Sequence, residues 1–138
     1  MNIKSTIDYF SKNPKALFLV DALGAAFTSF LLFFVLRNNY DYFGVPANVL
    51  IYLSAIGLLC FAYSTLCYFL LKSNWTPYFR IIGLINFLYC ILTMALLYAD
   101  YANITGLGCM YFVGEVLIIL ALVYIELRVA KVLNGPQN

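Results

Sequence analysis

Residues 105–127 read TGLGCMYFVGEVLIILALVYIEL, an apolar run with one acid, Glu115, near its middle and a second, Glu126, near its end. At ~1.5 Å per residue, a helix of this length crosses the ~30 Å of hydrocarbon in a bilayer. Three runs of the same kind precede it, at residues 15–36, 46–71 and 77–98, separated only by short, turn-rich connectors. A backbone in hydrocarbon must satisfy its own N–H and C=O groups, and these runs lack the ~10-residue alternation of a membrane barrel, so each is predicted to be a helix. Short connectors force antiparallel neighbours. The expected fold is an all-α membrane protein, an antiparallel up-down-up-down bundle of four transmembrane helices forming one integral membrane domain over residues 1–138.

Composition points the same way, with 64% of residues hydrophobic and only 10% charged. Little chain is left for a domain outside the membrane, so any ligand site is expected between helices or at their ends. The placement of charge is more informative than its sum. Lys4, Lys12 and Lys15 precede the first span, Lys72 and Arg80 flank the second connector, Arg128 and Lys131 follow the last span, and Arg37 alone lies on the other side. The positive-inside rule then places both termini and the 72–80 turn in the cytoplasm. The first run is a full span with no small-residue cleavage site at its end, so it is expected to be retained. Ahead of it, Ile3, Ile7 and Phe10 recur at helical spacing while Lys4, Asp8 and Lys12 lie elsewhere on the wheel. That pattern predicts a short interfacial N-terminal helix.

Helix starts carry their own chemistry. Asn13-Pro14 and Thr76-Pro77 each place a capping side chain before a proline whose missing N–H costs nothing in a first turn, Pro46 plays that part after Gly44, and Thr105 is the expected cap of the fourth span. Tyr40, Tyr42, Phe43, Trp75, Tyr78, Tyr98 and Tyr101 dress the connectors for the membrane interface. Asp41-Tyr42 follows span one and Asp100-Tyr101 follows span three, with Lys72 and Lys131 equally far downstream, as two similar hairpins would have it.

The polar residues within the spans are those the bilayer resists. Glu115 is ten residues beyond Thr105, so ~15 Å deep, where an ionised side chain costs ~2.5 to 3.5 kcal/mol on insertion scales. Its carboxyl must turn to protein or water. Gly108, Phe112, Glu115, Ile119, Leu122 and Glu126 share one stripe of the fourth span. Span three offers Gly83, Asn86, Cys90 and Thr93 with Tyr89 beside them; span two offers Ser54, Gly57, Phe61, Ser64 and Tyr68, with Tyr63 near the level of Asn86; span one offers Asp21, Gly24, Ala25 and Thr28. Packed inward, these faces predict two polar layers. Glu115, Asn86, Tyr89, Tyr63 and Thr28 form a candidate intramembrane site at mid-depth, and Asp21 and Glu126 form an ion cluster toward the cytoplasmic end, neutralised by Arg80 or Arg128. The structural alternative is that small and hydroxyl residues serve as packing and the acids as a buried ion pair or a hydrogen-bonded strut.

Several chemistries lack their residues. The chain has no histidine, and Cys60, Cys67, Cys90 and Cys109 include no C-x-x-C, so no metal site, haem or thiol relay is expected and no cofactor is implied. P-loop, dinucleotide, zincin and nucleophile-elbow motifs are missing too. A net charge of +2 carries no footprint for nucleic acid. The stretches Asp21-Ala-Leu-Gly-Ala25, Phe43-Gly-Val-Pro46, Tyr111-Phe-Val-Gly-Glu115 and Tyr124-Ile-Glu-Leu-Arg128 resemble a family of small uncharacterised bacterial four-span membrane proteins. The resemblance covers nearly the whole chain and implies a bacterial inner membrane and this topology, but no chemistry. Size and a single midplane acid also resemble small multidrug transporters, but their acid lies in the first span and this one in the fourth, so their mechanism is not carried over. Two functions are expected to compete. One is a non-catalytic assembly or partner-binding membrane protein, whose partners are lipid and a membrane protein or a second copy. The other is a small oligomeric transporter or channel subunit in which Glu115 exchanges a proton or binds a cation. No nucleophile pattern supports an enzyme.

Overall fold

Asn2 opens the first helix by accepting a hydrogen bond from the Lys4 amide at 3.3 Å, and α1 runs over Ile3–Lys12 in the computed structural model, which describes residues 2–135. Its apolar stripe decides where it lies. Ile7 is buried and Phe10 half-buried against the end of the last helix, while Lys4, Asp8 and Lys12 are exposed. Asn13 does not cap the next helix; its side-chain amide turns back to the Tyr9 carbonyl at 3.2 Å. Helix α2, Pro14–Phe30, then begins on its proline and continues through a widened π-helical stretch (Leu31–Leu36), a tight 3-10 turn (Arg37–Asn39) and the short α3 (Tyr40–Phe43). The first span is thus helical for 30 residues, past the expected end at Leu36.

Three more helices complete the set: α4 (Ala47–Leu70), α5 (Thr76–Ala99) and α6 (Gly106–Asn134). At ~1.5 Å per residue each exceeds the hydrocarbon thickness, and the short turns between them make the bundle antiparallel. Among the described residues 87% are helical and no strand occurs. The outer faces are what lipid requires. Leu59, Phe69, Met110 and Ile118 are each 69% exposed or more, an apolar exterior that water would not tolerate. The protein is a four-helix, multi-pass membrane protein. Helix α6 outlasts the predicted end at Leu127 because Val129 and Ala130 are themselves buried, in the cluster that Ile7 of α1 joins.

The helices pack as two hairpins, α2 with α4 and α5 with α6, and the hairpins meet along a seam. In the first hairpin Gly57 packs against Ser29, whose hydroxyl occupies the space a Cβ at residue 57 would take. The Ser54 hydroxyl bonds the Ser29 carbonyl at 3.3 Å beside it. Two apolar plugs close the seam. At the end carrying the termini, Leu17, Phe18, Phe79, Ile82 and Val129 pack together, with the Phe18 and Phe79 rings stacked 4.3 Å apart. At the opposite end, Leu32, Leu36, Leu50, Leu53 and Phe112 do so.

The opposite end is also tied through backbone. The Thr105 amide donates to the Phe43 carbonyl at 3.3 Å, and the Thr105 hydroxyl donates to the Tyr42 carbonyl at 2.5 Å while accepting from the Gly108 amide at 3.1 Å. One side chain therefore caps α6 and fastens it to α3. Thr105→Ala should lower unfolding stability in detergent micelles by about 1 to 2 kcal/mol, the range for a lost cap. Thr105→Ser should restore most of it, and equal loss in both variants would assign the effect to the methyl group instead.

Candidate functional site

Each of the four spans contributes one polar side chain to a buried layer between the two apolar plugs: Asp21 from α2, Ser64 from α4, Asn86 from α5 and Glu126 from α6. Chain order explains the level. In α2 Asp21 follows Phe18 and precedes Leu32; in α5 Asn86 follows Ile82 and precedes Tyr89; α4 and α6 run the other way with Ser64 before Cys67 and Glu126 before Val129. Ser64 and Glu126 are fully enclosed, and Asp21 is 3% exposed.

Donors and acceptors divide the layer. The Ser64 hydroxyl donates to Asp21 Oδ2 in a short contact. The Asn86 amide donates both ways, to Asp21 Oδ1 at 2.9 Å and to Glu126 Oε2 at 3.4 Å. A carboxyl oxygen accepts, so a side chain offering two N–H donors can join two acids. Glu126 Oε1 is left buried with no hydrogen-bond partner. Asp21 and Glu126 thus receive their hydrogen bonds from an amide and a hydroxyl. Arg80 and Arg128 are exposed on the outside of the bundle, with the Arg128 guanidinium 5.8 Å from the centre of the Tyr124 ring.

A second polar contact lies within the α5–α6 hairpin. The Tyr89 hydroxyl donates to Glu115 Oε1 at 2.6 Å, and both residues are buried. Glu115 Oε2 and, one turn along from Tyr89, the enclosed Thr93 hydroxyl have no partner. Tyr63 stands apart from both contacts, its hydroxyl donating to the Tyr78 carbonyl at 3.2 Å near the α4–α5 turn. Thr28 faces a small seam cavity of about 80 Å³, together with Asp21, Gly24, Asn86, Tyr89 and Ile119. That volume holds a few waters and lies well below the ~300 Å³ at which organic-ligand pockets begin.

Of the residues expected at mid-depth, Glu115 and Tyr89 meet each other, Asn86 meets Asp21 and Glu126, and Tyr63 meets the turn. Sequence reasoning took Ser64 as packing and missed its bond to Asp21. The register held the signal: Asp21 lies about two turns from the Pro14 start of α2 and Ser64 about two turns from the Leu70 end of α4, so antiparallel pairing puts them level. Among the described residues no group of three or more His, Cys, Asp or Glu side chains is placed to hold a metal, and all four cysteines are free. No family model matches the chain, and no curated protein or solved structure matches it either.

Proposed function

We propose that the chain is a non-catalytic protein of the bacterial inner membrane, with both termini in the cytoplasm, that works by assembling with another membrane protein or a second copy of itself. The observation that carries this is the four-helix polar layer. Its donors are turned to its own acids, beside space for only a few waters. Such a layer fixes register between helices, and polar bonds between membrane helices contribute ~0.6 to 2 kcal/mol each in that role. The bias of seven basic residues against Arg37 supports the orientation, and the family resemblance supports the bacterial membrane.

One observation favours a second function, a small oligomeric transporter or channel subunit coupled to protons or cations. Glu115 keeps one carboxyl oxygen buried and unpartnered. An acid so placed in a bilayer marks an ion path in many membrane proteins. Glu115→Gln separates the two functions. For an assembly protein, purified wild type and variant reconstituted in proteoliposomes both leave proton and monovalent-cation flux at the level of empty vesicles. The variant then loses about 1 kcal/mol of stability through its altered bond with Tyr89. Flux in the wild type that the variant abolishes, with its fold intact, would replace assembly by transport.

A further inference from the structure

Arg80 borders two depressions on the α5–α6 hairpin. One, of about 370 Å³, is polar and sits where α5 starts and α6 ends, bordered by Asn74, Trp75, Thr76 and Asn134. The other, of about 550 Å³, is almost wholly apolar and runs along both helices between Gly83 and Phe87 on one side and Val123 and Tyr124 on the other. From Arg80 to Phe87 is seven residues of helix, ~10 Å toward the bilayer centre. Polar above, cationic at the waist and apolar below is the profile of a molecule with an anionic head joined to a hydrocarbon chain.

Charge selects the head. Arg80 is exposed, and Arg128 lies over Tyr124, a wall of the apolar groove. At this end of the bundle Lys4, Lys12, Lys15, Lys72, Arg80, Arg128 and Lys131 are all exposed, while among the described residues there Asp8 is the one exposed acidic side chain, because Asp21 and Glu126 are buried in the seam. A guanidinium matches two oxygens of a phosphate at once, and basic pockets between membrane helices hold anionic headgroups. A free anion would use only the polar depression, and a neutral apolar molecule only the groove. We infer that the α5–α6 face binds an anionic phospholipid of the surrounding bilayer, its phosphate at Arg80 and one acyl chain along the groove. This binding is independent of the assembly function and of which side the termini occupy.

The test uses the full chain purified in detergent, with thermal melting followed while phosphatidylglycerol or phosphatidylcholine is titrated in. Phosphatidylglycerol should raise the melting temperature saturably and phosphatidylcholine should not. Arg80→Gln should weaken the apparent affinity for phosphatidylglycerol about tenfold, Arg80→Lys should fall between, and Arg37→Gln at the opposite end should match the wild type. Leu84→Trp, a bulky change at an exposed position lining the groove, should weaken binding without lowering the melting temperature of the lipid-free protein. Equal response to both lipids, or an Arg80→Gln variant that binds like the wild type, overturns the site. So does a shift that inorganic phosphate reproduces, since the groove would then have no part in it. If Arg80→Gln does not fold, the Arg80→Lys and Leu84→Trp affinities decide.

Discussion

Asn86→Leu is expected to destabilise the bundle by about 1 to 3 kcal/mol, the range for leaving buried hydrogen-bonding groups without their partner. Leucine fills similar space but supplies no N–H. Asp21 keeps only Ser64, and Glu126, whose other oxygen is already unpartnered, loses the hydrogen bond it has. Two acids would then face each other across the seam without the amide between them, in a medium where an unmet polar group cannot turn to water. Equilibrium unfolding in mixed micelles measures the loss. The acids should be its cause, so Glu126→Gln in the Asn86→Leu background should recover part of it. A double-mutant cycle with no coupling between the two positions would mean that Asn86 acts only as packing. A loss under about 1 kcal/mol would show that the amide bridge contributes little.

Gly44→Ala should cost about 2 to 4 kcal/mol, through two effects that add at one atom. Gly44 has φ +71°, where any residue with a Cβ pays ~1 to 2 kcal/mol. That Cβ would also lie 2.1 Å from the Asn103 carbonyl oxygen and 2.7 Å from the Thr105 nitrogen. Both are backbone atoms, which cannot swing aside as a side-chain end does, so the α3–α6 tie must open. Gly114→Ala supplies the contrast, because nothing lies within 4 Å of its Cβ position in mid-helix. There alanine should stabilise by up to ~1 kcal/mol through helix propensity alone. Unfolding midpoints that shift in the same direction for both variants would contradict this account of Gly44.

Hydropathy made the four spans and their antiparallel order legible, since burying a backbone in lipid leaves few alternatives. Helix ends were less so. Hydropathy drops at Arg37 and Arg128, but a backbone leaving the hydrocarbon is under no obligation to leave the helix, and buried Val129 and Ala130 keep α6 intact beneath α1. Capping was legible at Thr105 but not at Asn13 or Thr76. Asn13 instead closes α1, and the Thr76 hydroxyl reaches across at 3.5 Å to the Ala130 carbonyl. The stripes showed that Asp21, Asn86, Glu115 and Glu126 share inward faces, because rotation about a helix axis follows from spacing. Which of them touch depends on how far one helix slides and tilts against another, and spacing along a single helix says nothing of that. Spacing alone therefore groups Asn86 with Glu115, although it bridges Asp21 and Glu126.

The distribution of the buried bonds also bears on how the chain enters the bilayer during synthesis. Asp21 is met by Ser64 inside the first hairpin, and Glu126 is met by Asn86 inside the second. Each pair of helices thus carries a donor for its own seam acid, so one hydrogen bond to each carboxyl needs no help from the other pair. Docking the two halves adds the bond from Asn86 to Asp21, a latch that closes only once the C-terminal pair has arrived.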